Sequence, residues 1–398
     1  MKQYFKTTPE GTRDLFFEEC EIRREIEQNL ADFYKQRGFS EIITPGIEFY
    51  DLFSNSAFGL PEEMLYKLID NKGRLLVIRP DSTLPISRVV ATRLKDASLP
   101  IRLFYTQDIF KINPSMKGRS DETVQSGIEL IGADGLLADL EVITTAIDAL
   151  DKVGSDNFII ELGHAGFFKS LIKTLDIAEN KIERIRTFIE NKNYSALGDF
   201  LNKLNQTNAV KALKKLPELF GGNEVLTQAK LLCKDNSEAM QTLEYLNNLY
   251  ENLCKLNLTD RITIDLGLVH ENDYYSGVIF RGYVNGYGDV VLSGGRYNNL
   301  LSTFGRSLPA TGFALNVNSL SAINIQNRNF NINTPDILIC AKEGFEISAI
   351  KYRSDKILEG KKCELNAFND LNSAKKYAKS KNIKQIDIVG KEIESINL

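Results

Sequence analysis

Histidine is scarce in this chain. His164 and His270 are the only two in 398 residues, which excludes a multi-histidine metal site. Cys20, Cys233, Cys254, Cys340 and Cys363 are odd in number and scattered, with no CxxC pair. That spacing supports neither a disulfide framework nor a zinc knuckle, and the thiols read as bystanders in a reducing compartment. No run approaches the roughly 18 apolar residues of a membrane span, and the opening MKQYFKTTPEGTRDL has no apolar signal core, so a cytoplasmic protein is expected. There is no Walker loop, no HExxH and no nucleophile elbow, and the Gly pairs of FGGNE and SGGRY do not fit GxGxxG after a strand. These absences leave neither a cofactor nor a metal to expect. The formal charge of -4 gives no global pull toward nucleic acid or anionic membrane.

What is present is ordinary globular texture, 43% hydrophobic and 26% charged, in a chain long enough for two or three domains. Residues 18–37 carry apolar side chains at helical spacing, closed by Gly38. FSEIITPGIEF is β-rich but contains Pro45, which fits an edge strand. GRLLVIRPDSTLPISRVV reads as strand, turn and helix, with Ser82 or Thr83 near the helix start. IRLFYTQDIFKI and TVQSGIELIG are strands, and in the second Gln125 and Glu129 share a face. From about Gly166 to Lys255 the pattern is helical; strands resume at Ile262, and NGYGD marks a hairpin turn. The expected organisation is an α+β fold: a core over 1–165 and 261–323, a helical insertion over 166–260, an Asn-rich linker over 324–334, and a small α/β module over 335–398.

Polar groups gather at the ends of these strands: Asp81, Thr83, Lys111, Arg119, Gln125, Glu129, Asp273, Tyr274, Tyr275 and Arg296. Carboxylates with hydroxyls can hold an ammonium and a ring N–H, so the set suits a small polar ligand over a sheet. A plainer reading also stands: surface charges, plus a Tyr-Tyr pair sending one ring to each face of a strand. SGGRY suits a close backbone approach, with Arg296 either in a structural ion pair or facing an anion. His270 reads as a bonded loop histidine or a ligand contact.

The segments TPEGTRDL, LVIRPDSTLPISR, QSGIELIG, DYYSGVIF, LSGGRYNNL and ATGFAL, in that order, resemble the catalytic core of the histidyl-tRNA synthetases over residues 8–323. The resemblance implies a class II synthetase fold: an antiparallel sheet flanked by helices, a helical insertion, a dimeric core and a shortened anticodon-binding-like C-terminal module. It also implies a histidine pocket lined by Asp81 (Glu in the synthetases), Thr83, Lys111, Gln125, Glu129, Tyr274 and Tyr275.

Three departures bear on activity. Adenylate formation needs fixed cations on the phosphate oxygens, and arginine serves best. Where the synthetase pattern has arginine, this chain has Lys111 in DIFKI, His270 in LVHENDYY and Ser319 in GFALNVNS. By this resemblance, phosphate chemistry has eroded, little adenylation is expected, and the positions that hold the amino acid are largely kept. That combination is similar to the regulatory subunits of short-form ATP phosphoribosyltransferase, which are not enzymes themselves. The resemblance implies a separate catalytic subunit as partner, L-histidine as ligand, a hetero-oligomer, and His270 as a relic position. tRNA binding is not expected: the C-terminal segment is nearly charge-balanced and would draw RNA only feebly. The alternatives are a divergent histidine–tRNA ligase and another amino-acid-sensing paralogue of the synthetases.

Overall fold

The computed structural model describes residues 4–54, 60–113, 120–155, 157–269, 274–327 and 334–398. The chain divides into two compact units, Met1–Asn327 and Arg328–Leu398.

The first unit is organised by helix Glu18–Gln36, whose buried residues Ile22, Ile26, Leu30 and Tyr34 recur every fourth position. The helix stops where Gly38 turns to φ +80. The Gly38 amide bonds Lys35 O at 3.0 Å and the Phe39 amide bonds Tyr34 O at 3.1 Å, which satisfies two terminal carbonyls. Tyr34 packs against Phe104 and Phe313, ring centroids 5.6 and 6.2 Å away, and so seats the helix on the main sheet.

That sheet has nine strands. In spatial order they are Ser40–Glu41, Ile101–Phe110, Glu122–Ile131, Ala310–Asn316, Val290–Arg296, Val278–Val284, Phe158–His164, Ile262–Asp265 and Phe220–Gly221. Every pairing among the six long central strands is antiparallel, as the sequence pattern implied. Parallel pairs flank them, Ser40–Glu41 on one side and Ile262–Asp265 on the other. Helices Leu136–Lys152 and Val317–Asn327 join the first helix against the sheet. Since side chains alternate along a strand, the neighbours of Phe104 and Phe313 point to the opposite face. That face is the one carrying Tyr105, Gly312 and Ala314.

Pro45 stands in the connection between two strands. Ser40–Glu41 stops before it, and Ile47–Phe49 resumes as an edge of a separate three-stranded sheet. The helix after the Arg79–Pro80 turn is Thr83–Thr92, but neither Ser82 nor Thr83 caps it. Asp81 accepts the Leu84 amide instead, at 2.9 Å. The insertion holds helices Glu179–Glu190, Tyr194–Leu201, Asn208–Lys215, Asn223–Leu232 and Ser237–Lys255, and it also contributes the two-residue strand that closes the sheet edge. The helix Val317–Asn327 runs past position 324, where the apolar period fails, because buried Asn324 bonds Leu320 O and Val153 O.

In the second unit, strands Cys363–Leu365, Ile337–Ala341 and Gln385–Val389 are parallel and Ile393–Asn397 is antiparallel to the third. Ile337 and Ile339 pack with Ala349 of helix Glu346–Leu358, while Leu338 and Cys340 pack with Ala374 and Ala378 of helix Leu371–Ser380. The period-two alternation thus puts one helix on each face. No described helix is long and apolar enough to cross a membrane, and all five cysteines are free.

A buried ion pair ties the first unit together. Arg296 is 5% exposed and Asp139 fully buried, with Nη2 and Oδ1 2.8 Å apart. Tyr245 of helix Ser237–Lys255 donates to the same carboxylate at 2.5 Å. One carboxylate therefore holds a core strand, a core helix and the last helix of the insertion. Asp139→Ala, which takes the buried partner from Arg296 and leaves it the exposed Asp134 carboxylate at 3.1 Å, is expected to lower stability by about 1–3 kcal/mol. Tyr245→Phe is expected to lower it by about 0.5–1.5 kcal/mol. Urea unfolding measures both, and an unchanged midpoint for Asp139→Ala would refute the role given to this pair.

Candidate functional site

Glu129 sits on the sheet face opposite the helices, paired in register with Gly312. A Cβ on Gly312 would lie 2.0 Å from Glu129 Oε2, so the missing side chain is the room the carboxylate occupies. The same device operates one strand further on. A Cβ on Gly295 would meet the Tyr275 ring at 2.8 Å. The glycines of SGGRY therefore serve close approach within a strand. Arg296 faces away into its ion pair with Asp139, which settles its two readings in favour of structure.

Around Glu129 a cavity of about 60 Å³ is lined by Asp81, Thr83, Tyr105, Gln125, Tyr274, Tyr275, Ser293, Tyr297, Gly312, Phe313 and Ala314. Thr83 donates to Glu129 Oε1 at 2.8 Å, and Tyr297 donates to Oε2. Burial pushes the Glu129 carboxyl up to about 8; Tyr297 and Thr83 pull the other way, and the charge of Asp81 adds to the rise. Asp81 is also raised by burial, against the pull of the Leu84 amide and of Lys111. Burial raises the phenols of Tyr105, Tyr274, Tyr275 and Tyr297 far enough to keep them protonated, as donors. The Gln125 side-chain oxygen is buried and accepts nothing from the described residues. A satisfied interior seldom leaves such a carbonyl bare.

Six of the seven residues implied for the pocket thus stand together: Asp81, Thr83, Gln125, Glu129, Tyr274 and Tyr275. The tyrosines do not split across a strand. They precede strand Val278–Val284, and their rings lie 4.7 Å apart at 45° on one side. Lys111 is not in the lining; it stands beyond the end of strand Ile101–Phe110, bridged to Leu65, and reaches Asp81 through its charge. Ser319 is buried in the helix Val317–Asn327, accepting from the Tyr287 hydroxyl at 3.2 Å. His164 caps a helix, accepting the Gly166 amide at 3.0 Å, and burial lowers it to about 4. His270, Asp273 and Arg119 lie outside the described residues. No cluster of potential metal ligands occurs among the described residues.

Sequence reasoning missed Tyr105, Ser293, Tyr297 and the Gly312–Ala314 strand. Tyr297 directly follows the Gly-Gly-Arg run, and that adjacency was the one available signal. The others become visible only when strand register is known.

Comparison with known proteins identifies the family and the fold. Residues 11–320 match the histidyl-tRNA synthetase family. The chain is 43% identical over 387 residues to the ATP phosphoribosyltransferase regulatory subunit of Clostridium botulinum strain Langeland, covering 96% of this chain and 92% of that one. It is 38% identical over 400 residues to that of Bacillus cereus strain AH187, covering 100% and 94%. Among solved structures, an ATP phosphoribosyltransferase regulatory subunit/histidyl-tRNA synthetase from Bacillus halodurans superposes with TM-score 0.85 at 30% identity, over 98% of this chain and 100% of that one. Histidyl-tRNA synthetase from Nostoc sp. PCC 7120 shares the fold at TM-score 0.77 and 18% identity, over 98% of this chain and 96% of that one. Sequence and fold agree: the chain belongs to the ATP phosphoribosyltransferase regulatory subunit family, built on a histidyl-tRNA synthetase core.

Proposed function

We propose that this protein is the regulatory subunit of an ATP phosphoribosyltransferase, without chemistry of its own, and that its cavity senses L-histidine on behalf of a separate catalytic subunit. The observation that supports this reading best is the charge of the lining. Two carboxylates, four phenols and a bare amide oxygen face the cavity, and no lysine or arginine lines it among the described residues. Such a lining attracts an ammonium and repels a triphosphate. Glu129, Asp81 and Gln125 receive the amino group of the ligand, and the protonated phenols read its ring. The three positions where the synthetase pattern has arginine hold Lys111, His270 and Ser319, so the planar forks that best hold phosphate are absent from those places and Lys111 keeps a point charge alone. The core pairs as a homodimer along the edge near Pro45, inside a larger hetero-oligomer.

Phosphoribosyl-ATP formation by the cognate catalytic subunit, with and without this chain, tests the function directly. Activation that added histidine reverses is expected. No change in rate and no co-elution would sink the proposal, and histidine-dependent ATP–pyrophosphate exchange would then favour the ligase reading.

Two expectations concern the site. Glu129→Ala and Tyr274→Phe each leave a buried partner unpaired and should weaken histidine binding by about 1–3 kcal/mol, read by calorimetry. Unchanged affinity in both would move the sensor elsewhere. The second concerns pH. With its carboxyl raised to about 8, Glu129 is protonated in the empty cavity at neutral pH, whereas an ammonium ligand needs the carboxylate. Binding therefore displaces a proton below that value, and affinity rises with pH up to it. Titrations at about pH 6.5 and about pH 8 should differ by roughly tenfold or more, and Glu129→Gln should flatten the difference.

A further inference from the structure

Arg79 is 6% exposed, and among the described residues its side chain forms no ion pair within bonding distance, though the charges of Asp108, Glu48 and Asp81 act on it. Its guanidinium is instead spent on backbone and amide oxygens from two segments. Nη1 donates to Thr44 O at 2.8 Å, Pro45 O at 3.1 Å and Gln107 Oε1 at 2.7 Å; Nη2 donates to Asp108 O at 2.7 Å, and Nε to the same carbonyl at 3.1 Å. The Arg79 backbone is tied to the same places, its amide to Gly46 O and its carbonyl to the Phe110 amide, both at 2.9 Å. Thr44 closes the knot by donating to Gln107 Oε1 from both its amide and its hydroxyl.

Two residues along the chain, Asp81 turns into the cavity, followed by Thr83, which donates to Glu129. A second bond runs between the same regions: Arg88 of helix Thr83–Thr92 pairs with Glu48 at 2.6 Å. The segment held at the far side, residues 43–49, exposes Ile43 at 80% and Ile47 and Phe49 at 49% each. Rigid hydrogen-bonded supports of this kind fix the aim of a recognition group.

We propose that Arg79 is a positioning residue for the cavity: by clamping residues 44–46 and 107–108 beneath the turn at 80–83, it fixes where Asp81 and Thr83 stand and links the exposed edge segment to the ligand site. A planar fork is required, because its three nitrogens serve five acceptors in two directions, the Thr44 hydroxyl at 3.2 Å among them, which an ammonium cannot do. The histidine part of the test rests on the sensing reading above; the clamp itself does not.

The experiment pairs hydrogen exchange on the ligand-free protein with calorimetric titration of histidine, for the unsubstituted chain, Arg79→Lys and the milder, near-isosteric Thr44→Val. The expected result is faster exchange in both variants at residues 44–48 and 83–87, with helix Leu136–Lys152 unchanged. Histidine affinity should fall about 5- to 20-fold in Arg79→Lys, the range of one or two misplaced hydrogen bonds. A cycle with Asp81→Asn should be non-additive in affinity, since Arg79 acts through Asp81. Unchanged exchange at 83–87, or a loss of affinity strictly additive with Asp81→Asn, would overturn the proposal. If the unsubstituted chain binds no histidine while exchange responds as expected, the sensing reading fails and the clamp on the turn stands. If Arg79→Lys does not fold, the exchange of Thr44→Val decides alone.

Discussion

A carboxyl group in an apolar interior is the constraint on which the first unit turns. Glu129 stands on a central strand at 1% exposure, and its surroundings are built to make that tolerable. Thr83 arrives from a helix start, Tyr297 from just past the end of the next strand but one, and Gly312 withdraws its side chain from the strand alongside. Desolvation of the charged form outweighs both hydrogen bonds, so burial favours the neutral group, a balance that a nearby cation would reverse. The rest of the core serves to hold three separate segments against that one oxygen pair.

Much of this could be read from the chain. Glu18–Gln36 was legible in its period and its closing glycine, and the strands Ile101–Phe110 and Glu122–Ile131 in their composition, because burial on one side leaves a periodic trace. Gln125 and Glu129 share a face by simple parity, and the structure puts both in the cavity lining. The errors were local or concerned register. Ser82 and Thr83 do stand at the helix start as expected, but it is the Asp81 carboxylate that accepts the Leu84 amide there. The Tyr274–Tyr275 pair lies ahead of its strand, so strand parity did not apply. Tyr105, Ser293 and Gly312 come from three strands whose order in the sheet no local pattern encodes. The resemblance implied the lining that parity could not reach, though Lys111 stands outside it.

The two families that share this fold ask different things of one scaffold. A ligase has to hold an amino acid and neutralise a polyphosphate at once, which calls for both acidic and basic groups around a single space. Here only the acidic half is present in the described lining, and Ser319 has been turned to internal use, accepting from Tyr287. Arg296 and Arg79, the well-placed buried cations of this core, are each committed to structure, one to Asp139 and one to backbone carbonyls. The buried cations of this core thus support its shape.

The pairing of Glu129 with Gly312 also makes the cavity a gauge of how the sheet was assembled. A slip of one residue between these strands would set Thr311 or Phe313 opposite the carboxylate, and either would bring a Cβ into space that only glycine leaves open. The hollow exists in one register and in no adjacent one. Any molecule that fits that hollow would favour the correct strand alignment over its neighbours, and so would act as a proofreader of the fold.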